Sequence, residues 1–197
     1  MNKEDIIKFF DACAPTWDDE MIKDDAVIED ILNRAKIGTA TRVLDVACGT
    51  GVMFPYCTAR GAYVTGIDIS PEMVKIARKN VPDVETLCAD ALEISFEEGF
   101  DSVMVYNAFP HFPDPKEAIR ALSCHLKPGG VFTVAHGMGR DMINRHHEGV
   151  ASNVSLGLME ASSLAEIFSE FLDVSVIVDE PDRYIVSGVC KKSQNDV

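Results

Sequence analysis

One stretch limits what this chain can fold into more than any other: Val43-Leu44-Asp45-Val46-Ala47-Cys48-Gly49-Thr50-Gly51. It reads as a short apolar strand that runs into a turn of small residues and hands over to a helix beginning near Val52. Gly49 and Gly51 can take backbone angles denied to other residues, and they carry no Cβ to keep a ligand away from the main-chain N–H groups. A second stretch, Tyr63-Val64-Thr65-Gly66-Ile67-Asp68, puts an acid at the end of the next strand, about 20 residues downstream. At that distance an adjacent parallel strand can offer a carboxylate to the two hydroxyls of a ribose.

The surrounding pattern supports this layout. Strand-like and helix-like segments alternate: Arg42 to Val46, Val52 to Arg60, Tyr63 to Ile67, Pro71 to Asn80, Val84 to Cys88, Asp101 to Tyr106, Lys116 to His125 and Gly130 to Ala135. Such alternation predicts a doubly wound α/β fold, a mostly parallel sheet with helices on both faces. Ser70-Pro71-Glu72 is a helix start, with a capping hydroxyl, a Pro in the first turn and an acid at the positive end of the dipole. Lys127-Pro128-Gly129-Gly130 reads as a helix stop. Val174 to Val178 and Tyr184 to Cys190, joined by Asp179-Glu180-Pro181-Asp182-Arg183, read as a pair of strands, and Ser193 to Val197 as a frayed tail. Ahead of the core, Ile6, Ile7, Phe9 and Phe10 and then Val27, Ile28, Ile31 and Leu32 repeat at helical spacing.

Spacing bears on the ligand. A dinucleotide fingerprint needs G-x-G-x-x-G, whereas this register gives Ala47, Gly49 and Gly51, with Val52 in the third place. Instead D-V-A-C-G-T-G followed by G-I-D resembles motif I and its acidic partner in class I S-adenosylmethionine (SAM) methyltransferases. Cys88-Ala89-Asp90-Ala91, Tyr106-Asn107-Ala108-Phe109 and Leu126-Lys127-Pro128-Gly129-Gly130 resemble further family motifs in the expected order, over roughly residues 40 to 136. The resemblance, closest to ubiquinone and menaquinone methylases, implies a seven-stranded sheet closed by the C-terminal hairpin and a helical cap before it. It implies SAM as cofactor and S-adenosylhomocysteine as product, held by Asp45, Ala47, Cys48, Gly49, Gly51, Asp68, Ile69, Met73, Asp90, Ala91, Asn107 and Ala108. In it Asp68 meets the ribose and Asp90 the adenine amino group. Asn107 and Ala108 offer backbone to the methionine part, and Asp45 either orders the turn or meets the amino group through water. The chain then divides into a cap (1–38), a SAM-binding core (39–136), an acceptor-side segment (137–160) and a C-terminal helix and hairpin (161–192), all one domain.

Composition narrows the acceptor. The 197 residues suit one domain with a substantial core. A formal charge of -14 disfavours a nucleic-acid partner, since that affinity rests on Lys and Arg neutralising phosphates. The charged start, Met1-Asn2-Lys3-Glu4-Asp5, has no signal-peptide core, and no apolar run is long enough to span a bilayer, so the expected location is cytoplasmic. Oligomeric state is left open. Six cysteines form no C-x-x-C pair, and most are expected to be buried small apolar residues.

The chemistry expected is an in-line displacement at the sulfonium methyl, which asks the protein mainly for alignment. If the acceptor arrives protonated, a base is needed, and two histidine regions offer one. His111 follows the fourth core strand on a Pro-rich loop; many related methylases carry a histidine there. His136 opens the polar stretch Ala135-His136-Gly137-Met138-Gly139-Arg140-Asp141-Met142-Ile143-Asn144-Arg145-His146-His147. His111 and His136 are the candidate catalytic residues; Trp17, Arg140, Asn144, His146 and His147 are the candidate acceptor contacts. The concentration of Arg and His in an acidic chain suits an anionic acceptor such as a carboxylate, phenolate or thiolate. A packing role for Trp17 and a plain polar connection at 137–160 stand beside those assignments. His136, Asp141, His146 and His147 do not have the i, i+4 spacing of a zinc helix, so no metal is expected. The expected activity is methyl transfer to a small molecule; a SAM-binding sensor or partner subunit without turnover is the alternative, and an NAD-dependent oxidoreductase a more remote one.

Overall fold

The computed structural model describes residues 2–19, 21–151 and 153–191. The expected tail from Ser193 lies outside them. Seven strands form one sheet in the order β3-β2-β1-β4-β5-β7-β6. Its first five strands are β1 (Arg42–Val46), β2 (Tyr63–Asp68), β3 (Glu85–Cys88), β4 (Phe100–Tyr106) and β5 (Leu126–His136). All pair in parallel, while β6 (Leu172–Glu180) and β7 (Arg183–Cys190) add an antiparallel hairpin beside β5. The expected doubly wound, mostly parallel sheet is therefore present.

The helices are α1 (Lys3–Cys13), α2 (Asp25–Arg34), α3 (Phe54–Ala59), α4 (Pro71–Asn80), α5 (Pro115–Ser123), α6 (Arg140–Val150) and α7 (Ala161–Ser169). Strands buried on both faces read as continuous apolar runs, as Val103, Met104 and Val105 do in β4. One face carries Leu44, Val46, Val103, Phe132 and Val186 against α5 and α7; the other carries Val43, Val64, Met104 and Ile185 against α2 and α3.

Some boundaries differ from the sequence expectation for physical reasons. The first core helix starts at Phe54 and not near Val52, because Gly51 sits at φ +83° and Pro55 fits the first turn of a helix. Lys127-Pro128-Gly129-Gly130 does not simply end a helix. It belongs to β5, where pairing jumps from Phe100↔Leu126 to Ser102↔Val131 and the motif bulges out, with Gly129 at φ +79°. α5 stops earlier, at Ser123. Of the leading helices, only α1 and the 3-10 turn after it (Ala14–Asp19) lie across the strand ends. α2 packs on the sheet, with Val27, Ile28, Ile31 and Leu32 all buried there. The cysteine expectation is corrected: Cys48 and Cys57 are buried, Cys88 and Cys124 are exposed, and Cys13 and Cys190 lie between.

Candidate active site

Parallel sheets of this kind bind ligands beyond the carboxyl ends of their strands, where the chain order reverses. Here β1 lies between β2 and β4, and both β1 and β4 end in a residue with left-handed backbone: Ala47 and Asn107, each at φ +55°. Non-glycine residues adopt that conformation at a cost, and such strain gathers where a site needs a particular backbone direction. Gly49 at φ +55° and Gly51 at φ +83° continue the bend.

Asp68 ties this turn to the next strand. Gly49 N–H donates to its Oδ2 at 2.8 Å and Ser70 N–H to its Oδ1 at 2.8 Å. The carboxyl is buried, which raises its pKa, against the pull of the Ser70, Gly49 and Ile69 N–H groups. Each oxygen can accept a second bond, so the same group can still receive two hydroxyls. Ser70 itself caps α4, its Oγ accepting from Met73 N–H at 3.2 Å, so the helix does not need Asp68 as a cap. Met73 is buried behind the turn.

Asp45 is almost wholly buried, and its Oδ2 meets no hydrogen-bond partner among the described residues. Burial, reinforced by the Asp68 charge, pushes its pKa up to about 8. An unmet buried carboxyl oxygen beside a bare-backbone turn fits a ligand that carries an ammonium group. The Asn107 side chain is taken up locally, Oδ1 accepting from Gly137 N–H at 3.0 Å, while its N–H donates to Ala135 O at 2.9 Å. Asp90 Oδ1 accepts from Leu92 N–H at 2.9 Å, forming a local turn beside the buried Ala91, and its Oδ2 pairs with Lys3 at 2.6 Å.

The cap is fastened to each of these loops. Ser70 Oγ donates to Asp11 at 2.6 Å, Thr50 Oγ1 donates to Asp18 at 2.6 Å, and Lys3 reaches Asp90. The indole Nε1 of Trp17 stands 3.9 Å from where a Cβ on Gly49 would be, and its ring meets Phe10 edge-on at 5.7 Å. Ile6 packs with Ala151 and Val154, and Phe9, Phe10 and Ile69 lie against them, so α1 bridges the turn after β2 and the segment after α6.

The polar stretch after β5 is a helix, α6. Its positions 140, 143, 144 and 147 fall on one face by helical spacing. Ile143 is buried in the sheet core, Asn144 and His147 are half-buried, and His146 is exposed on the outside. Asn144 is already engaged, donating to Leu158 O at 3.0 Å and accepting from Leu158 N–H at 2.6 Å. Arg140 lies 3.3 Å from Asp179 and 3.8 Å from Asp141, and Arg145 donates to the Asp141 carbonyl. Arg140 is therefore balanced by acids, whereas Arg145 is held only by a backbone carbonyl and keeps its charge at the exposed side of α6.

The inner histidines converge. His111 sits in a short 3-10 turn (Phe109–His111), its ring 5.0 Å from that of His147 and edge-on to Phe10 at 4.9 Å. Its Nδ1 donates to Val154 O at 2.7 Å, which fixes the tautomer and leaves Nε2 as a proton acceptor. Burial lowers its pKa. His147 is pushed down to about 4 by burial and by His111 and His146; His136, almost fully buried, falls to about 3 by burial and by His147 and His111. Among the described residues no group of three or more His, Cys, Asp or Glu side chains is arranged to hold a metal ion. No described helix is long and apolar enough to cross a membrane.

A cavity of about 170 Å³ lies beside this cluster, lined by Phe109, Pro110, Phe112, Pro115, Asn144 and residues Leu156 to Met159. A wider hollow of about 530 Å³ opens at the amino ends of β1 and β2, at the opposite end of the strands from the candidate site residues. Sequence reasoning missed Asp11, Asp18, Val154 and Tyr184, the last described below. Their partners are remote in sequence and no local motif marks them.

Residues 44–134 match the family model described as a methyltransferase domain. Over 107 residues the chain is 35% identical to a ubiquinone biosynthesis O-methyltransferase of Chromobacterium violaceum, which covers 51% of this chain and 46% of that protein. A protein of the same description from Xanthomonas euvesicatoria pv. vesicatoria is 38% identical over 114 residues, covering 52% and 45%. The chain spans about half the length of the curated relatives it matches. Among solved structures, the methyltransferase in complex with the Haloferax volcanii Trm112 methyltransferase activator superposes with a TM-score of 0.76 at 22% identity, covering 92% of this chain and 97% of that one. The N-methyltransferase NodS of Bradyrhizobium japonicum, in complex with S-adenosyl-L-homocysteine, gives 0.70 at 16% identity, covering 95% and 97%. At these identities the two structures share the fold.

Proposed function

We propose, from the match of residues 44–134 to a methyltransferase domain and from the O-methyltransferase relatives, that the chain is a class I S-adenosylmethionine-dependent methyltransferase, transferring a methyl group from S-adenosylmethionine to a small-molecule acceptor and releasing S-adenosylhomocysteine. The observation that carries the proposal is the joined pair of acids: Asp68 bound to Gly49 N–H with acceptor capacity to spare, and Asp45 behind the turn with an unmet oxygen. Together they suit a ligand with a ribose at one end and an ammonium at the other. Ala47, Cys48, Gly49 and Gly51 would line its middle with backbone, and Asp90 and Ala91 would flank the adenine.

The cofactor supplies an electrophilic methyl whose leaving group is a neutral thioether. The protein has to align the acceptor, a contribution of up to roughly 7–11 kcal/mol in favourable cases. His111 is the base best placed by this geometry, because the Val154 carbonyl holds its proton on Nδ1 and turns Nε2 free. His136 and His147, held neutral by burial, serve better as hydrogen-bonding groups than as proton stores. The descriptions of the sequence relatives, O-methyltransferases, support a hydroxyl oxygen as the acceptor atom.

Calorimetry with S-adenosylhomocysteine and NAD, followed by methyl transfer across an acceptor panel, tests the proposal. Micromolar binding of S-adenosylhomocysteine without NAD binding is expected, together with turnover that His111→Ala reduces about 100-fold or more. Binding without turnover on any acceptor would point to a sensor or partner subunit. NAD binding in place of S-adenosylhomocysteine would refute the assignment.

A further inference from the structure

The register of the last three strands sets three titratable side chains side by side. His136 of β5 stands opposite Tyr184 of β7, and Tyr184 opposite Asp179 of β6. Directly paired residues share a face of the sheet, and this row lies at the end where the parallel strands finish, the end that carries Gly49 and Asp68. The rings of His136 and Tyr184 meet edge-on, 5.9 Å apart. Arg140, in the first turn of α6, reaches over Asp179 at 3.3 Å.

Two polar atoms of this row, His136 Nε2 and Tyr184 Oη, are buried without a hydrogen-bond partner among the described residues, and Arg140 Nε has no contact beyond its ion pair with Asp179. Tyr184 is fully buried and His136 nearly so. Each unmet group carries a desolvation penalty, and native interiors keep such groups to a few per hundred residues. Two side by side point to a guest oxygen. The row opens toward solvent at Arg140, whose side chain keeps 30% of its exposure.

Charge decides what kind of oxygen. Asp179 already balances Arg140, Tyr184 is a phenol and His136 is neutral, so the row as a whole has no net charge. A carboxylate would be buried there without a counter-charge, at a high cost. A hydroxyl meets every requirement: its oxygen accepts from Tyr184 or Arg140, and its proton is donated to His136 Nε2 in the tautomer protonated at Nδ1.

We propose that Tyr184, with His136 and Arg140 Nε, holds the methyl acceptor by an uncharged hydroxyl, so that Tyr184 is a specificity-determining residue and neutral hydroxylated molecules, not carboxylates, are the substrate class. The assignment rests on the methyltransferase function proposed above. It is tested on the full chain with S-adenosylhomocysteine bound, titrated with phenol and with benzoate, rings of similar size that differ in charge, and followed by NMR of the histidine and tyrosine resonances.

Phenol is expected to shift the His136 and Tyr184 signals at lower concentration than benzoate does. Tyr184→Phe should weaken phenol binding about fivefold to tenfold, the worth of one hydrogen bond. It should leave S-adenosylhomocysteine affinity unchanged and should not lower the melting temperature, because the hydroxyl removed is unpaired in the folded chain. A merely structural tyrosine would instead lose stability and leave phenol binding alone. Benzoate binding more tightly than phenol, no binding of phenol, or phenol binding unchanged in Tyr184→Phe would each overturn the proposal while S-adenosylhomocysteine still binds. Failure of S-adenosylhomocysteine to bind would instead overturn the methyltransferase assignment beneath it.

Discussion

Asp45 and Asp68 sit on neighbouring strands and are both held above their ordinary carboxyl pKa, yet they differ in what they satisfy. Asp68 has two backbone donors; Asp45 leaves one oxygen unmet. Asp68→Ala should therefore remove both a ligand contact and the strut under Gly49. We expect S-adenosylhomocysteine affinity to fall about 10- to 100-fold by calorimetry, the range of charge-assisted hydrogen bonds. For Asp45 the consequence is a pH dependence. Its pKa is about 8 folded against 3.8 for a free side chain, so between those values the folded protein keeps a proton that the unfolded chain has shed. Stability then falls as pH rises through that window. Asp45→Asn should be more stable than the parent at pH 8, by up to a few kcal/mol, with the gap closing toward pH 4, while its cofactor affinity falls. Thermal melts across pH read the first effect and calorimetry the second. His111 carries the opposite signature in activity: a base whose pKa is lowered stays unprotonated to lower pH than a free histidine, so the acid limb of kcat/KM should lie below pH 6.5.

At the scale of elements, the cap is what sequence could not supply. The strands β1, β2 and β4 were legible because each is a short apolar run ending in turn chemistry, and α4 because Ser70-Pro71 announces its start. The glycine turn and Asp68 were legible because the motif is local and its partner lies one crossover away. Asp11 reaches Ser70 across 59 positions and Asp18 reaches Thr50 across 32, and nothing near either acid marks it as a clasp. Tyr184 was hidden for a related reason: only the register of an antiparallel pair puts it against His136. The boundary of the cap was misplaced because α2 has the same apolar spacing as a lid helix, and packing on the sheet is what distinguishes them. These clasps hold α1 and Trp17 over Gly49. Removing one, as in Asp18→Ala, should speed cofactor association about fivefold in stopped-flow Trp17 fluorescence, the effect of one hydrogen bond on the opening equilibrium. An unchanged rate would mean that the cap does not gate entry.

The whole molecule adds a field to this geometry. With a formal charge of -14, and with Asp11, Asp18 and Asp68 gathered at the carboxyl ends of the strands, acidic groups outnumber basic ones around the crevice, while Asp45 keeps its proton near neutral pH. S-adenosylmethionine carries a sulfonium and an ammonium against one carboxylate and is a net cation at neutral pH. S-adenosylhomocysteine lacks the sulfonium and is neutral overall. An acidic crevice would attract S-adenosylmethionine and be indifferent to S-adenosylhomocysteine. Such steering is screened within about 8–10 Å near physiological salt, so it weakens as salt is added. We expect the association rate of S-adenosylmethionine to fall several-fold between roughly 10 and 500 mM salt, a span over which the Debye length shrinks severalfold, while that of S-adenosylhomocysteine stays nearly flat. Equal salt dependence for the two ligands would show that the acidic surface has no part in cofactor capture, and would leave the contacts at Asp45 and Asp68 to account for the whole of recognition.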